Sequence, residues 1–326
     1  MMRKAVAACA GVLALGVLGA AVAPGGQDDK VQLRYRFEKG QKFRLAVQFT
    51  AVAKMEQIPE VLRGLLGEKP LDIRFEGLLE SEVREVGEDG RAALEGKWRT
   101  MKAKGSVTMS EFDYEYDSEK PEADKGRKKE RPPDEMPMVN IEENLRTLAR
   151  ETLRISVDPS GRVRMRDGGG GGAEGMGDFL EQVLSLNGLM GPFPKDPVGR
   201  GDSWKGDDKI MLPGVGAMLG ITVRSENRVE SQEKVGDRDC ALIQSKFTVG
   251  GEGERKDDPN NAVPLQLKTT GEGEGKTWFC AREGMVARSR NSLTARFSLG
   301  GIPDPNGGGD VEVKGTLKID QSHELK

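Results

Sequence analysis

The sequence predicts a mainly β fold, a β-rich α+β chain of two antiparallel meander lobes with a few short covering helices. Three observations carry that expectation. Apolar residues alternate with polar ones over long stretches, as strands with one buried face require. Charged, glycine-bearing turns such as "GEDG" from Gly87 and "GDRD" from Gly236 separate the stretches. Charged residues make up 32% of the chain and aromatic ones 5%. The core is therefore thin and rich in Val, Leu, Ala and Gly, which a layered sheet accommodates better than a large packed globule.

The N-terminus reads as a secretory signal peptide over 1–23. Arg3 and Lys4 precede an apolar run that ends in "AVA" before Pro24-Gly25-Gly26 and the polar "GQDDK". Cleavage after Ala21 competes with cleavage after Ala23, because Pro24 makes a poor scissile amide. Cys9 in "VAAC" resembles a lipoprotein box. However, only Ala5 to Ala8 separate it from Lys4, too short an apolar segment for lipid attachment there.

In the first lobe, 30–166, Leu33, Tyr35 and Phe37 alternate with polar neighbours, "KGQ" turns the chain, and Phe43, Leu45, Val47 and Phe49 return. That pattern predicts a hairpin. Pro59 to Leu66 predicts a short helix with Val61, Leu62, Leu65 and Leu66 on its apolar side. Strands follow over 71–86 and through Ala92, Leu94, Gly96 and Trp98, then from Ser106 to Tyr116. Mixed charges with prolines over 117–136 predict a solvated loop, where the "RKK" at Arg127 is cancelled by adjacent carboxylates. Asn140 offers a helix cap, and "RISVDPSGRVRMR" a hairpin with Pro159 and Gly161 in its turn.

The glycine run from Gly168 to Gly172 marks a linker over 167–177, and the second lobe spans 178–326. There Asp178 caps a predicted helix carrying Leu180, Val183, Leu184 and Leu186. Proline-spaced "GPFPKDPVGRGDSW" leads into strands over 221–235, 240–249, 265–280, 285–299 and 311–325. "VGEDGRAAL" from Val86 and "VGDRDCALI" from Val235 repeat in wording and order, preceded by "GQKF" and "GDSW" respectively. A duplicated β unit and two unrelated hairpins using common turn chemistry both remain open on these residues.

Signal removal leaves two cysteines, Cys240 and Cys280. They fall symmetrically about the hairpin of 239–249 and 265–280, so one antiparallel register sets them opposite for a disulfide. Free thiols on different faces are the alternative.

Motifs for chemistry fail on inspection. "TGEGEGKT" from Thr270 lacks the first glycine of a phosphate-binding loop, and "WFCAREG" continues as strand rather than helix. "DPNGGGD" from Asp304 has Gly308 and Gly315 where a calcium loop needs oxygen ligands. It and "DDPNN" from Asp257 read as turns. Arg200-Gly201-Asp202 sits in a turn before Trp204 and receives no function. His323 is the sole histidine, which leaves triads and multi-histidine metal sites little to draw on. No catalytic, cofactor or metal residue is nominated. The formal charge of -3 excludes a dedicated nucleic-acid binder.

At "KGQKFRLAVQFT", "PVGRGDSW", "VGDRDCALI" and "WFCAREGMVARSRNSLTARF" the chain resembles a family of exported bacterial β-rich proteins known only as a domain of unknown function. Gln41 departs from that family's Lys-Gly-Asp turn. The resemblance implies location and fold, and no activity. Two functional expectations follow for a protein of the periplasm or cell surface with no membrane span after signal cleavage. The first is a non-enzymatic module holding a hydrophobic ligand or lipoprotein in a groove of its sheets. The second is a scaffold or interaction module, with a carboxylate-dependent hydrolase third. The apolar face of Phe43, Leu45, Val47, Phe75, Ile243 and Phe247 separates the first two: left open it is a binding groove, filled it is core.

Overall fold

The computed structural model describes residues 30–66, 71–107, 112–120, 141–166, 176–213, 218–253, 266–304, 307 and 309–326. The predicted signal peptide, the greater part of the charged loop, the glycine run and "DDPNN" lie outside the described residues. Among the described residues there are twelve strands: β1 (Lys42–Gln57), β2 (Leu71–Val86), β3 (Ala92–Val107), β4 (Phe112–Asp117), β5 (Leu153–Val157), β6 (Val163–Met165), β7 (Ser203–Pro213), β8 (Met218–Val235), β9 (Arg238–Gly253), β10 (Gln266–Cys280), β11 (Met285–Pro303) and β12 (Asp310–Leu325). The helices are α1 (Glu60–Leu66), α2 (Ile141–Arg150) and α3 (Met176–Val183). No described helix is long and apolar enough to cross a membrane.

All the strands join one antiparallel sheet in the order β6-β5-β3-β2-β1-β12-β11-β10-β9-β8-β7, with β4 added on β3. The two predicted meanders are thus halves of one sheet. β1 and β12 join them in register from Leu45 opposite Leu325 to Ala53 opposite Leu317. Both repeated phrases form hairpin tips, "VGEDGRAAL" between β2 and β3 and "VGDRDCALI" between β8 and β9.

Period-two alternation gives the sheet one buried face. Leu45, Val47, Phe49 and Ala51 of β1, Phe75 of β2, Ile243, Phe247 and Val249 of β9 and Leu293 of β11 are all buried in a single core cluster. Phe43 is half-buried against Phe37, with ring centroids 6.3 Å apart. Leu62 of α1, Leu145 and Leu148 of α2 and Leu180 and Val183 of α3 belong to the same cluster.

Four expectations need correction. The segment Val31 to Phe37 keeps its alternation, with Leu33, Tyr35 and Phe37 buried, but it is not a strand of the sheet. It is held by one bridge from Val31 to Val198 and by loop backbone, Tyr35 N donating to Pro159 O and Arg36 N to Gly284 O. Ser106 to Tyr116 is a hairpin, because β3 ends at Val107 and β4 begins at Phe112. α3 starts at Met176, so Asp178 lies inside it and does not cap it. Ser203 to Pro213, which precedes the first strand expected in the second lobe, forms the edge strand β7.

Candidate functional site

Near the middle of the sheet the buried face is polar. In register across β12, β11, β9 and β8, Gln321, Asn291, Ser245 and Asn227 are all buried, with Gly275 of β10 between Asn291 and Ser245. Such groups require partners, and α3 and the loop after it supply some of them, while Ser245 Oγ and both amide atoms of Asn291 have none among the described residues. Gln321 Nε2 donates to Gln182 O at 3.0 Å, Ser225 Oγ to Met190 O at 2.7 Å and Asn227 Nδ2 to Met190 O at 3.3 Å. Gly188, at φ 58°, brings this loop so close to Asn291 that a Cβ would collide with the Asn291 amide. The band of amides and hydroxyls therefore docks irregular backbone onto the sheet.

His323 is the strongest tie. Its Nε2 lies 2.7 Å from Val183 O and its Nδ1 3.1 Å from Ser289 Oγ. A carbonyl only accepts, so Nε2 carries the proton and Nδ1 accepts from the Ser289 hydroxyl. Burial pushes the imidazole pKa down to about 4, against the Val183 hydrogen bond that raises it. The serine and histidine are both sealed from solvent at 0% and 2% exposure, so the pair acts as a brace for the end of α3.

That burial sets a pH dependence. The folded imidazole titrates below its unfolded value, so its neutral form stabilises the fold above pH about 6.5, and this is lost as pH falls through about 4. The loss by pH 4 amounts to roughly 3 kcal/mol for this one group. Urea unfolding from pH 7 to 4 is expected to show this increment in the natural protein and not in His323→Gln. Equal pH slopes for the two would refute the assignment.

The opposite face of the same strands is concave. Across β1, β12, β11, β10, β9, β8 and β7 it encloses an open trough of about 1580 Å³. Its walls are exposed polar side chains, among them Lys205, Arg228, Gln244, Lys246, Glu274, Lys276, Arg290 and Gln48, with the half-buried Asp320. β10 shows how the sequence produces this: Glu272, Glu274 and Lys276 are exposed while Gly271, Gly273 and Gly275 alternate with them toward β11. A Cβ on Gly273 would meet the backbone of Ser292 and Leu293. The glycines permit close strand approach, and the "TGEGEGKT" phrase is mid-strand with no following helix, as its alternation predicts.

Asp304 and Gly307 form the β11–β12 turn, with Asp304 N donating to Gly309 O and Gly307 N to Asp304 O. Among the described residues no group of three or more His, Cys, Asp or Glu is placed to hold a metal. Asp202 accepts from Gly199 N at 3.0 Å and pairs with Lys30 at 3.6 Å, which hold its carboxyl below the usual range against the opposing effect of burial. Asp208 on β7 is different: burial raises it to about 6, opposed by the Lys209 amide and by Arg162. Cys240 and Cys280 are bonded, with Cα atoms 4.0 Å apart, in the register that sets them opposite at the end of the β9–β10 ladder.

No family model matches this chain, and no curated protein matches it. Among solved structures, DynF from the dynemicin biosynthesis pathway of Micromonospora chersina aligns over 88% of this chain and 82% of its own, at 8% identity and a TM-score of 0.21. A likeness that low bears on neither fold nor function.

Proposed function

We propose that the protein is an exported, non-enzymatic binding module that holds a partner in the polar trough of its sheet. The observation that carries this reading is the division between the two faces. The apolar residues Leu45, Val47, Phe75, Ile243 and Phe247 are buried in the core cluster, whereas the large open concavity is lined by charged and amide side chains. The Cys240–Cys280 bond supports export, since such bonds persist in oxidising compartments.

Differential acetylation of lysines tests the reading without knowledge of the partner. In the protein's native cells, Lys246 and Lys276 are expected to be protected relative to the purified protein. Lys39, exposed in a turn, and Lys234, exposed at the end of β8, lie outside the trough lining and should react equally in both. Equal reactivity of the trough lysines inside and outside the cell would refute it.

A second reading, a carrier for a hydrophobic ligand or lipoprotein, is favoured by one feature. The cover over the polar band of the apolar face is a short helix and loop rather than a second sheet. Cargo would have to displace the loop from His323, Gln321, Ser225 and Asn227.

A further inference from the structure

We infer that the trough takes a linear, carboxylate-bearing polysaccharide laid along the row Arg228, Gln244, Lys276 and Arg290, an assignment that rests on the trough being the binding face. The register sets these residues side by side, Arg228 opposite Gln244, Gln244 opposite Lys276 and Lys276 opposite Arg290. Neighbouring strands are roughly 4.8 Å apart, so the row offers cations at intervals along a line across the sheet.

Charge is uncompensated along that line and balanced beside it. Lys205 pairs with Glu226 at 3.4 Å and Arg288 with Glu324 at 3.0 Å. Lys246 stands in register between Glu226 and Glu274. Arg228, Lys276 and Arg290 hold no ion pair among the described residues. The nearest carboxylates along their own strands are Glu226 and Glu230 beside Arg228 and Glu274 beside Lys276, each two residues away, and Asp320 and Glu324 flank Ser322 opposite Arg290. Lys276 and Arg290 oppose each other directly, a like-charge cross-strand pair that destabilises an empty sheet and that an anion would relieve.

The rest of the lining selects the kind of anion. Ser203, Gln244, Ser322 and Gln48 continue the row and both donate and accept hydrogen bonds, which suits sugar hydroxyls. A peptide would bring apolar anchors for which the lining has few counterparts. It would also want a free strand edge, which β7 offers at one end of the trough, whereas the row crosses β8, β9, β10 and β11, each paired on both sides. A concave floor does not meet a flat lipid surface.

The test is calorimetric titration of the full mature chain with oligogalacturonate, with neutral dextran and poly-glutamate as comparison ligands. The expected result is salt-sensitive binding of oligogalacturonate, none of dextran, and weaker binding of poly-glutamate. In Arg228→Gln/Lys276→Gln/Arg290→Gln, affinity should fall about tenfold or more, as for the loss of several exposed charge pairs. Arg228→Lys/Arg290→Lys should retain most of it, and unchanged near-UV dichroism should report an intact fold. Undiminished binding by the glutamine variant, or tighter binding of poly-glutamate than of oligogalacturonate, overturns the inference. If oligogalacturonate does not bind while Lys246 and Lys276 are protected in cells, the saccharide assignment falls and the trough reading stands. If those lysines are unprotected as well, both fall.

Discussion

Asn187→Ala is expected to lower the unfolding free energy by about 4 kcal/mol, taking roughly 1–3 kcal/mol for each buried group left without a partner. Asn187 is buried in the loop between α3 and β7. Its Oδ1 accepts from the Tyr35 hydroxyl at 2.9 Å, and its Nδ2 donates to Ser160 O at 2.7 Å and to Gly191 O at 2.8 Å. One side chain thus ties the N-terminal segment, the β5–β6 turn and the cover of the apolar face. Alanine orphans a phenol and two carbonyls at once. Tyr35→Phe removes only the hydroxyl and should cost about 1 kcal/mol at the Asn187 contact. Urea unfolding of both variants and of the double variant measures the coupling, and a loss for Asn187→Ala no larger than that for Tyr35→Phe would contradict the account.

Removing the disulfide is expected to cost a similar amount. Cys240 and Cys280 lie 40 residues apart in sequence, and closing a loop of that length in the unfolded chain corresponds to about 4 kcal/mol on the chain-entropy estimate. The β9–β10 ladder runs on without it, from Ala241 opposite Phe279 to Gly253 opposite Leu267. Cys240→Ala/Cys280→Ala should therefore keep the native near-UV dichroism while unfolding at markedly lower urea. A double variant as stable as the oxidised protein would show that the bond contributes nothing.

The hairpins of the second half were legible because their evidence is local: alternation and a turn are enough to place β8 to β12 within a few residues. Cys240 opposite Cys280 followed from the same symmetry. The β1–β12 junction was not legible, since alternation says which face a residue occupies and nothing about which distant strand it meets. The same limit explains Val31 to Phe37, whose buried alternation reads as a strand although its backbone bonds go to Pro159, Gly284 and Val198. β7 was hidden by Gly206, Asp207 and Asp208, residues that are poor strand formers, next to a proline-spaced approach.

At the candidate site the losses are of another kind. In the sequence His323 is a lone histidine near the end of the chain, whereas register pairing puts Ser289 beside it and folding brings Val183 onto its other nitrogen. The trough residues read as an ordinary solvated strand face, because sequence alternation carries no sign of curvature. A signal was present in Arg228, Lys276 and Arg290, cations on one face of three strands. It becomes visible only once those strands are aligned.

The central claim is that the apolar face is filled by the protein itself and the polar trough is left for a partner. Native mass spectrometry of the protein, purified gently from its cells and followed by solvent extraction, tests it most directly. The account predicts a protein mass free of apolar adducts under conditions that preserve known lipid complexes. A stoichiometric apolar adduct, released by solvent, would contradict it and return the buried face to the role of a cargo site.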